Sequence, residues 1–189
     1  MRDVECLIPA AGRSERMGDW KPLLPFRGST ILETAVGTAL HACSRVVLVA
    51  GYRGGELVAR FAAVPRVRVV TNPDWESGMF SSIKVGVAEI GADRFFIALG
   101  DMPYLGPEVY EALLEHPPAD AVFPVFGGRR GHPVLFRSSV GNLVLAAGPE
   151  TGGMREIAAR GSIGEMAWKD DSVLRDIDTP EDYAGAERS

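Results

Sequence analysis

Short apolar runs alternate with helical patterns along almost the whole chain. Val4–Ile8 reads as a buried strand, and Arg45–Ala50 as a second one closed by Gly51. Val67–Thr71 is a third strand, and Phe95–Leu99 is a central one ending at Gly100-Asp101. Ser29-Thr30 can cap a helix running to about His41, with Ile31, Leu32, Ala35, Val36 and Ala39 on one face. Further helices are predicted over Glu56–Ala62 and Ser81–Ile90, and Pro107 suits the first turn of one reaching about Glu115. Ala121–Val125 is the next strand. Gly131–Arg137 follows a glycine turn as its neighbour. Ser138–Ala146 and Gly152–Ala159 read as helical, and Glu165–Arg175 is expected to hold two short strands. Thr179-Pro180-Glu181-Asp182 is a helix start, with a threonine cap, proline at the first position and acids in the first turn.

This alternation predicts an α/β fold with a mostly parallel sheet covered on both faces. Ligands of such sheets sit outside the carboxyl ends of the strands. The loop Ala10–Lys21, Gly51, Thr71-Asn72 and Gly100-Asp101 all follow strands, so they are expected to meet at one cleft. No internal repeat, low-complexity segment or linker interrupts the pattern.

Composition narrows the picture. A chain of 189 residues fits one domain and can bury a large core. The formal net charge of −5, with no basic run, argues against duplex nucleic acid as a partner. Cys6 and Cys43 form no metal or redox spacing, and Cys6 reads as a buried thiol. Arg2, Asp3 and Glu5 do not fit a signal peptide, and no apolar run has the length of a membrane span. A cytoplasmic protein is expected.

Five stretches carry candidate chemistry. In Ala10-Ala11-Gly12-Arg13-Ser14-Glu15-Arg16-Met17-Gly18-Asp19-Trp20-Lys21, Gly12 lets backbone N–H groups approach phosphate oxygens. Arg13, Arg16 and Lys21 can neutralise a triphosphate; the competing reading is a solvated loop. Neither G-x-x-x-x-G-K-[ST] nor G-x-G-x-x-G is present, which argues against a dinucleotide oxidoreductase. Asp101, directly after a strand, can hold Mg²⁺ against phosphates or simply cap the next turn. Asp176 and Asp178 share one side of an extended segment, so one of them could complete a magnesium site, or Asp178 could serve the helix start. The run Asn72–Ser82, with Gly78, could present backbone to a base edge, or hold a helix cap and a Trp75 anchor. Arg129, Arg130 and His132, around a glycine turn, could receive a second anionic substrate, or His132 could satisfy a local hydrogen bond.

Taken in order, these motifs resemble the molybdopterin nucleotidyltransferases, and within them the molybdenum cofactor cytidylyltransferase branch. The likeness runs through Ala10-Ala11-Gly12-Arg13-Ser14-x-Arg16-Met17-Gly18-x-x-Lys21, Leu23-Leu24-Pro25-Phe26, Asn72-Pro73, Gly78-Met79-x-Ser81-Ser82, Gly100-Asp101-Met102-Pro103, Gly131-His132-Pro133 and Asp176-Ile177-Asp178-Thr179-Pro180. It implies a three-layer α/β/α sandwich with a Rossmann-like, GT-A-like sheet. It implies one domain, nucleotide-binding over about residues 1–105 and acceptor-binding over about 106–189.

By the same resemblance, Arg16 and Lys21 grip the triphosphate and, with Asp101, are catalytic. Asp101 and Asp176 hold Mg²⁺, with Asp178 the alternative ligand. Ala10, Ala11, Gly12, Arg13, Asn72, Ser77, Gly78, Met79, Ser82 and Gly100 contact the nucleotide. Arg130, His132 and Asp178 fall on the acceptor side. The substrates implied are CTP and a phosphorylated pterin-type acceptor, with a molybdoenzyme receiving the product and a monomer or weak homodimer as the assembly. The Ala-Ala-Gly and Gly-Met-x-Ser-Ser forms match the cytidylyl rather than the guanylyl branch. Pro9 departs from the aliphatic residue common there, and Glu150–Arg155 departs on the acceptor side. GTP, or a sugar 1-phosphate or phosphocholine acceptor, are the alternatives within the class. A non-catalytic nucleotide-binding module is the alternative outside it.

Overall fold

A computed structural model describes residues 3–148 and 150–186; Arg2, part of the N-terminal charge pattern, lies outside them. The elements run β1 (Val4–Ala10), β2 (Pro25–Phe26), β3 (Ser29–Thr30), α1 (Ile31–Ala42), β4 (Arg45–Ala50), α2 (Gly54–Phe61), β5 (Val67–Thr71) and α3 (Met79–Val87). There follow β6 (Arg94–Ile97), α4 (Pro107–Glu115), β7 (Ala121–Phe126), β8 (Arg129–Arg130), β9 (Val134–Arg137), α5 (Ser138–Ala146), α6 (Met154–Ala158), β10 (Ile163–Ala167) and α7 (Pro180–Ala186). The main sheet has the order β10-β7-β9-β6-β1-β4-β5, with β8 on β7. Its pairings are parallel at β10/β7, β6/β1, β1/β4 and β4/β5. They are antiparallel where β9 enters between β6 and β7, and in the β7–β8 hairpin.

Side-chain alternation along the strands divides the core into two layers. Cys6, Ile8, Val46, Leu48 and Phe96 face α1, α2 and α4 through Val36, Leu57 and Tyr110. Leu7, Val47, Val49, Phe95 and Phe136 face α3, α5 and α6 through Ile83, Val140 and Ile157. The result is the expected three-layer α/β/α sandwich with a mostly parallel sheet. The face expected on α1 is the face buried: Ile31, Leu32, Ala35, Val36 and Ala39. Thr30 caps that helix by accepting a hydrogen bond from the Glu33 N–H at 3.2 Å, and its hydroxyl donates to the Glu33 carboxylate.

Pro9 is tolerated within a central strand for a local reason. The Leu7 carbonyl accepts from the Ala98 N–H at 3.0 Å, so alternate β1 residues turn their backbone groups toward β6. The β6 ladder ends at the Leu7–Ile97 pair, and Pro9 stands past it, where no N–H is required.

Two expectations are corrected. Only one strand, β10, lies near Glu165–Arg175; Asp171–Leu174 forms a 3₁₀ turn instead. The Asp170 carboxylate accepts from the Ser172 N–H at 3.0 Å and Val173 is buried, which favours a turn over extension. Helix α3 starts at Met79 rather than Ser81, because the Ser81 hydroxyl donates back to the Asp74 and Gly78 carbonyls from inside the first turn.

Helix α3 lies close on β1 and β4. A Cβ added at Gly86 would come within 2.0 Å of Leu7 Cδ1 and 2.8 Å of Val49 Cγ2, whereas one at Gly37 in α1 meets nothing within 4 Å. Gly86→Ala is therefore expected to destabilise the protein by about 1–3 kcal/mol through overpacking. Gly37→Ala should stabilise it by about 0.5–1 kcal/mol through backbone entropy. Urea denaturation of both variants checks the opposed signs.

Candidate active site

The carboxyl ends of β1 and β6 open onto a cavity of about 490 Å³, lined among others by Pro9, Gly12, Arg16, Lys21, Gly100, Asp101 and Asp178. A second cavity of about 300 Å³ adjoins it and shares Pro9, Gly12, Glu15 and Met79 with the first. Ala11, Arg13, Trp75, Glu76, Gly78 and Ser82 complete its wall. Gly12 lines both, and a Cβ there would meet nothing within 4 Å, so the protein's own packing leaves this approach open.

The first loop is shaped by its own bonds. Ser14 adopts left-handed backbone with φ 59°, its carbonyl accepts from the Met17 N–H and its hydroxyl from the Lys21 N–H. Trp20 is buried and its indole donates to the Gly12 carbonyl at 3.3 Å. Met17 sits in a small cluster with Phe26, Ile31, Ile177 and Ala186. That cluster ties the loop to the segment after Arg175, which is distant in sequence.

Lys21 is the hub of the cleft. Its ammonium donates to Asp101 Oδ2 at 2.7 Å, Asp178 Oδ1 at 2.7 Å and the Ile177 carbonyl at 3.0 Å. Arg16 donates to Asp178 Oδ2 at 2.6 Å. Burial disfavours the Lys21 charge, but the Asp101 and Asp178 carboxylates outweigh it and raise its pKa. Burial also works against the Asp178 charge, and the bonds from Lys21 and Arg16 hold its carboxyl below the usual range. The helix start does not engage the Asp178 carboxylate. Thr179 and Asp182 cap α7 reciprocally, the Thr179 N–H donating to Asp182 at 2.9 Å and the Asp182 N–H to Thr179 at 3.2 Å.

Among the described residues, two buried side-chain polar atoms lack a hydrogen-bond partner, Asp101 Oδ1 and His132 Nδ1. Asp101 lines the cavity, and a carboxylate oxygen left without a donor, such as its Oδ1, suits a hard cation. No three His, Cys, Asp or Glu side chains among those residues cluster into a cage for an ion. The donor set fits Mg²⁺, which binds through one or two carboxylates plus substrate phosphates.

The other site residues are distributed as follows. Ala10, Gly100 and Met79 reach the first cavity. Asp176 does not line it; Asp178 does. Asn72 is buried, its amide donating to the hydroxyls of Ser81 at 2.8 Å and Ser82 at 3.0 Å, so it orients Ser82 rather than facing a ligand. Ser77 donates to Asp74 at 2.7 Å. Arg13 lies over the Trp75 ring, 4.7 Å from its centroid, and pairs with Glu76. Arg130 turns away from the cleft, pairing with Glu165 at 2.7 Å and covering Phe123. His132 packs below the cleft, its backbone N–H bonded to the Val173 carbonyl at 2.9 Å. Burial lowers its pKa, partly offset by the Ile97 backbone and Asp101. Contacts run from Arg53 over Trp20 to the edge of Tyr52 and on to Trp75 beside the second cavity; of these only Trp75 was a sequence candidate, because the members lie on three separate loops.

Residues 6–165 match the family described as the MobA-like NTP transferase domain. The chain is 35% identical to the molybdenum cofactor cytidylyltransferase of Escherichia coli (strain K12), over 98% of this chain and 96% of that one. It is 32% identical to the nicotine blue oxidoreductase of Paenarthrobacter nicotinovorans, over 95% of each chain. In fold it is similar to a nucleotidyl transferase from Methanothermobacter thermautotroptrophicus, with a TM-score of 0.84 at 23% identity, covering 100% of this chain and 98% of that one.

Asp176 gives a test of the electrostatics. Burial raises its pKa first, then the charges of Asp178 and Asp101. A carboxyl whose folded pKa is raised destabilises the fold once ionised, and that cost vanishes below its unfolded pKa of about 3.9. Asp176→Asn should therefore raise the melting temperature at pH 7, with the gain disappearing below about pH 4. Solvent exposure keeps the effect small. Thermal melts across that pH range check it.

Proposed function

The chain belongs to the MobA-like NTP transferase family, and from that premise we propose that it moves CMP from CTP to the phosphate monoester of a molybdopterin-type acceptor, releasing pyrophosphate. The observation that carries this reading is the joining of Arg16, Lys21, Asp101 and Asp178 at one cavity wall, next to a second cavity suited to a base. The 35% identity to a cytidylyltransferase over nearly the whole chain supports the choice of nucleotide and acceptor.

An acceptor phosphate oxygen attacks the α-phosphorus of CTP, a new P–O bond forms, and the bond to the β-phosphate breaks. The phosphate nucleophile is already ionised, so alignment and charge neutralisation carry the catalysis. The Ala10–Gly12 backbone and the cavity bounded by Trp75, Met79 and Ser82 hold the nucleoside. Ser82 accepts from Asn72, so its hydroxyl proton is left to donate to an acceptor on the base. Lys21 and Arg16 meet the charge of the triphosphate and of the departing pyrophosphate. Asp101 and Asp178 would hold Mg²⁺, Asp178 in place of Asp176 because its side chain lines the cavity and faces Lys21. Bound there, Mg²⁺ supplies Lewis-acid stabilisation of phosphoryl charge.

Pyrophosphate release with Mg²⁺, crossing CTP, GTP, ATP and UTP against molybdopterin and simple phosphomonoesters, tests the reading. CTP with molybdopterin should give the highest rate; a GTP preference removes the cytidylyl assignment, and CTP binding without release toward any acceptor points to a non-catalytic module. Asp101→Asn should lower kcat by about 10²–10³-fold while still melting as one cooperative transition. Near-full activity in that variant removes Asp101 from the mechanism.

A further inference from the structure

Lys21 uses all three donors of its ammonium on the cleft, and its side chain is 14% exposed. With Arg16 on the far oxygen of Asp178, the two cations and two carboxylates form a neutral cluster. Three of its four carboxylate oxygens are engaged, and Asp101 Oδ1 is the exception. A divalent ion held by both carboxylates, at about 2.0–2.1 Å for Mg²⁺, needs an Asp178 oxygen that Lys21 or Arg16 now engages. It would then sit within a few ångströms of the ammonium, where like charges repel in a partly desolvated site. A nucleoside triphosphate alters the balance, because its phosphates offer Lys21 and Arg16 other acceptors.

We propose that Lys21 is a selectivity residue as well as a phosphate contact: its ammonium occupies the place between Asp101 and Asp178 that a divalent ion needs, excludes the bare ion, and yields only when a nucleotide's phosphates draw it away. The inference rests on reading Asp101 as an ion ligand. It makes ion and nucleotide binding mutually reinforcing, since coupling between sites is reciprocal.

The test titrates Mn²⁺ alone against the wild-type protein and three variants, counting free ion by electron paramagnetic resonance. Lys21→Met and Lys21→Gln should bind one Mn²⁺ about tenfold or more tightly than wild type without nucleotide. Lys21→Arg, which keeps the charge, should not. The gain should vanish in Lys21→Met combined with Asp101→Asn. Gln retains a polar side chain in case Met does not fold there. Equal affinity in wild type, Met and Gln overturns the inference, as does a gain that survives Asp101→Asn. Mn²⁺ titration of wild type and Asp101→Asn in the presence of CTP separates the two failures. If that binding depends on Asp101 while Lys21→Met gains nothing, only this inference falls. If it is indifferent to Asp101→Asn, the ion site itself falls.

Discussion

Burial of β1 on both faces is the constraint on which the rest of the molecule depends. Cys6, Leu7 and Ile8 are fully buried, and α1 and α3 cover opposite sides of the strand. Along Cys6–Ile8 an unpaired catalytic group would be buried at a cost, and the one buried acid of the strand, Glu5, is paired with Arg45 and the Gly91 N–H. Chemistry is pushed to its carboxyl end, where β6 stops at Ile97 and the sheet opens. Pro9 marks that opening from the protein side. It is placed where a missing N–H costs nothing, and it lines both cavities.

The second requirement is to bring remote acids and cations to this opening. The small cluster of Met17, Phe26, Ile31, Ile177 and Ala186 does this by apolar packing. Met17 follows Arg16, and Ile177 precedes Asp178, so burying these two side chains delivers their charged neighbours to the same wall. The reciprocal cap of α7 by Thr179 and Asp182 leaves the Asp178 carboxylate available. The Lys21 ammonium then joins the first loop, the β6 end and the tail through direct bonds.

A relative named as an oxidoreductase shares about a third of the sequence across its length. The scaffold therefore does not dictate one chemistry, and the site residues have to distinguish among its uses. Here the residues proposed to meet phosphate and those proposed to hold an ion are bonded to one another.

Much of this was legible in the chain. The strands over Arg45–Ala50 and Val67–Thr71, the helix over Pro107–Glu115 and the buried face of α1 follow from periodicity and caps, which are local. The gathering of Arg16, Lys21 and Asp101 at strand ends follows from the α/β pattern. Other features were not legible. The 3₁₀ turn at Asp171–Leu174 depends on a side-chain bond at Asp170 and on burying Val173. The departure of Arg130 toward Glu165 depends on β10 lying beside β7. Which of Asp176 and Asp178 faces the cleft depends on where Ile177 finds its pocket. The layers, the cleft's location and the residue types in it follow from spacing along the chain. Which charge meets which is set by folding, because those pairings join residues up to 162 positions apart through packing that no local pattern encodes.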